Sequence, residues 1–428
     1  MNDNTNCFKF SDSILSSAEN AMLKTKNIFE KIDTITEHNQ QKVLKAFITE
    51  KVSSRHFAAT DGYGYGDDGR DTLDRVYAKV FSTEDALVRH NFVNGTHALT
   101  TALFGVLRPG DTMLSVTGLP YDTMQSVIGL SKSFSGSLKD FGIQYKQVNL
   151  IDDQIIDKDK IKQYITSDVK VIYIQRSRGY SFKKSLSCHD IEKIIQITKS
   201  VSKNCIVLVD NCYGEFVETM EPTSVGADLA VGSLIKNPGG GIAPSGGYIV
   251  GRKDLIEMCA NRLTTPGAGK EIGASLGHNK EMYLGFFNSP HVVGEALKSA
   301  VFAAAFMEEL GFEALPKYND PRYDIVQSVK LQNKENLITF CQGIQKGSPV
   351  DSFAKPEPWD MPGYDSKVIM AAGTFTLGAS IELSADAPLR EPFAVWLQGG
   401  LNFHSAKYSI MTAADQLIKE KNRKRRYL

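Results

Sequence analysis

Apolar residues along this chain recur at two periods, and the point where one gives way to the other divides it. Ile14, Ala18, Met22, Ile28, Ile32 and Ile35 recur at roughly helical spacing, with Ser11 or Asp12 placed to cap a start. Residues 11–50 are therefore predicted as helix. The segment is polar and joins no strand pattern, so it reads as an arm that packs on the core or on a neighbouring subunit. After residue 57, short apolar runs alternate with helical patterns. Strands are predicted over 86–92, 112–117, 144–148, 169–174, 205–209, 229–231 and 247–250, and helices over 72–81, 98–107, 127–141 and 188–201. In the last of these, Ile191, Ile194, Ile195 and Thr198 share one face. Such alternation implies a mostly parallel sheet covered by helices on both faces, with ligands at the carboxyl ends of its strands. Residues 254–310 read as helix broken by the Gly/Pro-rich stretch 264–269; beyond Gly311 come shorter strands, a helix and a Pro-rich loop over 355–362. The expected division is an arm over 1–55, a large α/β domain over 56–290 and a small α+β domain over 291–428.

Composition narrows the partners. The 428 residues carry 49 basic and 49 acidic side chains, and this balance argues against a polyanion such as nucleic acid as main partner. The basic run over 419–426 reads as a solvated helix end or tail. The six cysteines are irregularly spaced with no C-x-x-C pair, so neither a disulfide framework nor a zinc site is expected, and a reducing cytoplasm is. The start of the chain lacks a signal-peptide pattern, and no apolar run approaches the roughly 20 residues that span a bilayer.

Chemistry concentrates at predicted strand ends. The apolar run Val207-Leu-Val-Asp-Asn-Cys-Tyr213 ends in an Asp-Asn pair, and the next ends in Ser233-Leu-Ile-Lys236 before a glycine-rich turn. One acid and then one lysine at successive strand ends suit pyridoxal 5'-phosphate (PLP), which needs a lysine amine for its aldehyde and a carboxylate against its pyridine nitrogen. Lys236 and Asp210 are the pair; singly, each would read as a surface lysine or a strand-capping aspartate. Asn94-Gly-Thr-His97 lies between a strand and a helix, where Gly95 allows close approach and the amides of Thr96 and His97, with the Thr96 hydroxyl, can bind a phosphate; a simple Asn-Gly turn is the alternative. Tyr121, after the next strand, can lie on a flat ring. The loop Thr60-Asp-Gly-Tyr-Gly-Tyr-Gly-Asp-Asp-Gly69 matches neither phosphate-binding glycine motif and reads equally as a flexible turn. The histidines form no H-E-x-x-H and the cysteines no cluster, so no metal site is expected.

Taken together, His56-Phe-Ala-Ala-Thr-Asp-Gly-Tyr-Gly-Tyr-Gly-Asp-Asp-Gly-Arg70, the Asn94 run, Gln175-Arg-Ser-Arg-Gly-Tyr180, Asp210-Asn211 and Ser233-x-x-Lys236 resemble the fold-type-I PLP enzymes of cysteine and methionine metabolism. The likeness is to the branch labelled aluminium-resistance protein or cystathionine β-lyase/methionine γ-lyase-like, over about residues 56–400. It implies the PLP-dependent transferase (aspartate aminotransferase-like) fold. It implies phosphate binding by Gly95, Thr96 and Ser233, ring stacking and proton transfer by Tyr121, attachment at Lys236, and a Tyr63 or Tyr65 reaching the phosphate of a neighbouring subunit. A homotetramer of tight dimers follows from it as well. The family's Tyr-x-Arg is absent from the loop, with Arg70 a possible substitute. Its asparagine beside the ring is replaced by Arg176-Ser-Arg178, and its arginine for the substrate carboxylate is missing near Thr374, which makes Arg176, Arg178 and Arg390 the substrate-binding candidates.

The expected reaction is carbon–sulfur elimination from a sulfur-containing amino acid such as cystathionine or methionine. Lys236 acts as base, kept neutral by a buried, cation-rich setting, and Tyr121 as proton donor. The alternatives are other PLP chemistry (γ-replacement, aldol cleavage, racemisation) and a non-catalytic role in metal stress.

Overall fold

The computed structural model describes residues 7–130, 135–361 and 366–425. The chain forms two compact units, one of residues 35–291 and one of residues 1–34 with 292–428. Helix α1 (Asp12–Thr49) is continuous across residue 34. The division thus falls inside the helix that the sequence pattern sets off whole within an arm over 1–55.

In the 35–291 unit, α2 (Asp68–Val80) leads to β1 (Asp85–Arg89), α3 (Gly95–Val106), β2 (Thr112–Ser115), α4 (Asp122–Ile128), β3 (Gln144–Gln147) and α5 (Lys158–Tyr164). Then follow β4 (Val169–Gln175), α6 (Cys188–Val201), β5 (Ile206–Asp210), β6 (Leu229–Ser233), β7 (Gly247–Gly251), α7 (Lys253–Leu263) and the start of α8 (Asn279–Glu309). The seven strands pair in the order β1-β7-β6-β5-β4-β2-β3, and only β7 runs against its neighbours. The mostly parallel sheet is as expected.

Strict alternation decides which side chains meet above the sheet. Val171, Tyr173, Ile206, Leu208, Leu229 and Val231 pack into one core with α3 and α7. Ile172, Ile174, Val207 and Val209 pack on the opposite side with α5 and α6. Because side chains along a strand alternate between faces, Gln175, Asp210 and Ser233 fall on the α3 face at the carboxyl ends of β4, β5 and β6. A third packing group stacks aromatic rings: Tyr77 on Phe286 at 3.8 Å between centroids, and Phe81 on Tyr248 at 5.1 Å.

Two local readings differ from the structure. The helix expected over 127–141 is α4, which stops at Gly129, whose φ of +90° suits a residue with no Cβ at a helix end; residues 131–134 of that expected helix lie outside the described residues. The short α5 is polar and carries little periodic signal, but Asp157 caps it by accepting the Lys160 amide at 3.0 Å. Pro362 of the expected loop and the last residue of the basic run also lie outside the described residues.

The remainder of α8 continues in the second unit with β8 (Glu313–Leu315), β9 (Gln327–Lys330), α9 (Lys334–Lys346), β10 (Val368–Ala371), β11 (Ser384–Pro388), β12 (Ala394–Gln398) and α10 (Phe403–Arg425). Its antiparallel sheet has the order β10-β11-β12-β9-β8. Ile14 and Ala18 of α1 join Phe302, Phe306, Phe340 and Val395 in its core.

Phe286 is fully buried against Tyr77, Phe81 and Phe216. Phe286→Ala should destabilise the fold by about 3–5 kcal/mol through lost burial and the cavity it leaves. A chemical-denaturation midpoint equal to that of the wild type would refute this packing.

Candidate active site

The neighbouring strands β5 and β6, paired through Asp210↔Val231, deliver Asp210 and then Ser233 to one sheet edge. Asp210 is 3% exposed. Its Oδ2 accepts the Tyr173 hydroxyl at 3.2 Å and its Oδ1 the Cys212 amide at 3.1 Å. Burial raises the carboxyl's pKa, while Lys236 and these donors oppose the rise. Lys236 follows β6 by three residues, and its Nζ sits 4.1 Å from the centroid of the Tyr213 ring. Burial works against its charge, but Tyr213, Cys212, Tyr121 and Asp210 together outweigh burial and the pKa moves up. The expected cation-rich setting is therefore corrected: the groups that act on Lys236 are phenolic, thiol and carboxylic, none of them a cation.

Helix α3 brings the second half of the site. A Cβ placed on Gly95 would lie 3.1 Å from Ser233 Cβ and 3.2 Å from Cys212 Sγ, so a larger residue would crowd both side chains. Ser233 is fully buried and its Oγ has no hydrogen-bond partner among the described residues. Thr96 Oγ1 lies 3.0 Å from the Tyr121 hydroxyl and 3.2 Å from Thr123 Oγ1. Gln175 Oε1 accepts the Tyr121 amide at 3.0 Å, fixing the ring's backbone to the end of β4. Burial, then the charge of Asp210, drives the Tyr121 pKa up, so the residue stays a phenol.

The residues present fit PLP. A buried serine hydroxyl without a partner, a glycine that keeps the helix start clear, a flanking phenol, a buried carboxylate and a lysine amine are the donors, space, platform, acid and attachment point it needs.

Several expected residues stand elsewhere. The His97 amide donates to Asn94 Oδ1 at 2.9 Å, and His97 Nδ1 accepts the Val93 amide at 3.1 Å. His97 thus closes its own helix start, a correction to its assignment as a phosphate ligand. Arg176 is also corrected. It is fully buried, donating from Nη1 to Asn211 Oδ1 at 2.7 Å and from Nη2 to Glu218 Oε2 at 2.7 Å, with Glu221 at 3.5 Å. Its guanidinium is consumed in holding the turn after β5 and cannot also clamp a substrate. Arg178 is buried, with Nη2 at 3.5 Å from Ser185 Oγ. Arg390 is exposed in the second unit. Tyr63 and Tyr65 are 71% and 70% exposed and stack on each other at 5.4 Å. Arg70 is buried, holding the carbonyls of Gly64 and Gly273 at 2.9 and 3.0 Å, so it anchors that loop.

Three residues escaped the sequence reading. Tyr173 and Gln175 lie two and four residues beyond Val171 on the same strand face, a signal that the alternation did carry. Tyr213 carries a positive φ of +70°, unusual outside glycine, which turns its ring toward Lys236.

Against this geometry, the family model for methionine gamma-lyase matches residues 14–418. The chain belongs to the methionine gamma-lyase family. It is 51% identical to the uncharacterized protein YnbB of Bacillus subtilis (strain 168) over 92% of this chain and 94% of that one. The crystal structure of a carbon-sulfur lyase involved in aluminum resistance from Clostridium novyi NT superposes with a TM-score of 0.92 at 53% identity, covering 95% of this chain and 96% of that one. A Campylobacter jejuni O-acetylhomoserine (thiol)-lyase structure that carries a pyridoxyl-lysine shares the fold alone, with a TM-score of 0.55 at 18% identity over 80% of this chain and 86% of that one.

Two expectations follow for family members with this site. Arg176→Met strands Glu218 and Glu221 without their cation and should cost about 3–5 kcal/mol of stability, measured by denaturant unfolding; a cost under about 1 kcal/mol would rule out the buried ion network. Glu215 is fully buried, and burial pushes its carboxyl pKa up to about 8 although Tyr248 donates to it at 2.8 Å. The folded state then holds this proton more tightly than the unfolded state, so the group lowers stability progressively as pH rises from its ordinary range to about 8. Glu215→Gln should flatten that decline across this window, and identical pH–stability curves for the two proteins would exclude it.

Proposed function

We propose that this protein is a PLP-dependent carbon–sulfur lyase that eliminates a thiolate from a sulfur-containing amino acid such as cystathionine or methionine. The observation that carries the reading is the convergence of Asp210, Ser233 and Lys236 from adjacent strands with Gly95 at the start of α3, in a chain of this family. When bound, PLP supplies an electron sink in conjugation with the substrate Cα.

The protein's residues handle binding and protons. Gly95, Thr96 and Ser233 hold the phosphate. Asp210, braced by Tyr173 and the Cys212 amide, keeps a proton on the pyridine nitrogen. Lys236 would be the attachment point, and its amine, when uncharged, would be the base at Cα. The Tyr213 ring gives its ammonium form a resting place, a contact worth roughly 0.5–2 kcal/mol in such settings. Tyr121, kept a phenol by burial and by Asp210, donates the proton that the departing thiolate needs. Arg178 and Arg390 remain the two candidates for anchoring the substrate carboxylate. The stacked, exposed Tyr63 and Tyr65 suit a contact with the phosphate of a neighbouring subunit, as a homotetramer of tight dimers would provide.

Lys236→Ala should abolish both the visible absorbance of the loaded protein near 400–450 nm, roughly the range of a lysine-bound PLP, and the release of 2-oxo acid and ammonia from a panel of cystathionine, methionine, cysteine and threonine. Tyr121→Phe should keep the absorbance and lower kcat by about 10²–10⁴. Full cofactor loading with no 2-oxo acid from any member of the panel would defeat the lyase reading, and visible absorbance retained in Lys236→Ala would defeat the attachment site.

A further inference from the structure

Between β4 and α6 the chain runs past Gln175-Arg-Ser-Arg-Gly-Tyr180 to Lys183. Lys183 Nζ donates to the carbonyl of Thr117 and to that of Leu119, each at 3.1 Å. These carbonyls flank Gly118, whose φ of +79° bends the chain between β2 and α4. Just beyond comes Tyr121, the N-cap residue of α4. Four consecutive carbonyls of this turn accept from side chains. Those of Thr117 and Leu119 accept from Lys183, that of Gly118 from Ser115 Oγ at 2.6 Å and that of Pro120 from Gln125 Nε2 at 2.8 Å. Ser115 and Gln125 belong to the two elements that the turn joins. Gln175 and Lys183 are remote in sequence and tie the turn to the 175–183 segment at both ends of that segment. Gln175 Oε1 takes the Tyr121 amide, and the Gln175 amide donates to Thr117 Oγ1 at 3.1 Å. The segment has anchors of its own. The Leu186 amide donates to the Arg176 carbonyl and the Lys184 amide to the Asp153 carbonyl, each at 2.9 Å, while Lys184 Nζ pairs with Asp190 of α6 at 2.8 Å.

The turn has need of such a clamp. Helix α4 has only seven residues and no side-chain cap at its start, so little else in it fixes the backbone of Tyr121. An ammonium suits the task, because hydrogen bonds from a charged donor are stronger than those between neutral groups. It also needs the carbonyls in return: burial lowers the pKa of the Lys183 amine against the pull of Asp153, and a buried charge is costly unless it is hydrogen-bonded. One Nζ that closes on two carbonyls of the same turn holds them together and so sets the direction in which the chain enters α4. We propose that Lys183 is a positioning residue for Tyr121, holding the Thr117–Leu119 turn so that the phenol stays beside Thr96 at the cofactor site. The phenol's task as proton donor rests on the lyase reading; the clamp does not. A proton donor works only within hydrogen-bond reach, and a misplacement of about 1 Å can cost roughly a hundredfold in rate.

Lys183→Met, which removes the ammonium and keeps most of the stem, tests this by two measurements on the full chain. Hydrogen–deuterium exchange, with and without PLP, should show the amides of residues 118–128 exchanging about tenfold faster than in the wild type, with β4 and β5 unchanged. In turnover of the amino-acid panel, kcat should fall by roughly ten- to a hundredfold with KM little changed. That loss should disappear when the substitution is made in Tyr121→Phe, which has no phenol left to position; a merely structural role for Lys183 would lower the rate by the same factor in both backgrounds. Where Lys183→Met does not fold, Lys183→Gln carries the same expectations. Absence of turnover by the wild type would sink the lyase reading alone, and the exchange measurement would then decide whether Lys183 seats Tyr121. Unchanged exchange over 118–128, or a kcat loss that persists in full beside Tyr121→Phe, would overturn the proposal.

Discussion

A carboxylate placed at the end of β5 and almost wholly removed from water needs compensation, and the surrounding structure supplies it. Left alone, a buried acid takes up a proton, because burial penalises the charged form. Here the Tyr173 hydroxyl, the Cys212 amide and the ammonium of Lys236 all act on Asp210 in the direction of charge. These compensating groups come from β4, from the turn after β5 and from the segment after β6. The chemistry of the site and the order of the sheet are thus one constraint: strands that were not parallel neighbours would not bring them to one end.

The turn after β5 carries its own burden. Asn211 accepts from Arg176 and donates to Glu221 and Tyr248, while Arg176 also reaches Glu218. Arg176, Asn211, Glu221 and Tyr248 are fully buried, and Glu218 is partly exposed. Pairs of this kind contribute little net stability over a well-packed apolar core, but they are costly to break singly and admit few alternative arrangements. The same turn holds two non-glycine residues, Tyr213 and Phe216, in the left-handed region, at roughly 1–2 kcal/mol each.

What could be read from the amino acids alone depended on whether the signal was local. The ends of β5 and β6 were legible because apolar runs of strand length stopped at an acid and at Ser-x-x-Lys, and the place of Gly95 followed from a strand-to-helix junction. The role of Arg176 was not legible. Whether an arginine is free depends on acids that stand tens of residues away in sequence, and Glu218 and Glu221 became its partners only through the fold. His97 failed for the opposite reason. Its capping of α3 is local, but Asn94 can satisfy the same amide that a phosphate would, and the sequence does not say which acceptor wins. Tyr213 was hidden by its backbone, since nothing in an Asp-Asn-Cys-Tyr run announces a left-handed tyrosine.

The cysteine beside Gly95 has a further consequence. Cys212 is buried, and burial first, then the nearby charge of Asp210, holds its pKa well above that of a free thiol. Disulfide exchange proceeds through the thiolate, so a sulfur atom kept protonated is a poor nucleophile toward oxidised sulfur compounds. A catalyst that liberates thiols or sulfide works in the presence of their disulfides and persulfides. This pocket can carry its own sulfur among them without being capped by a mixed disulfide.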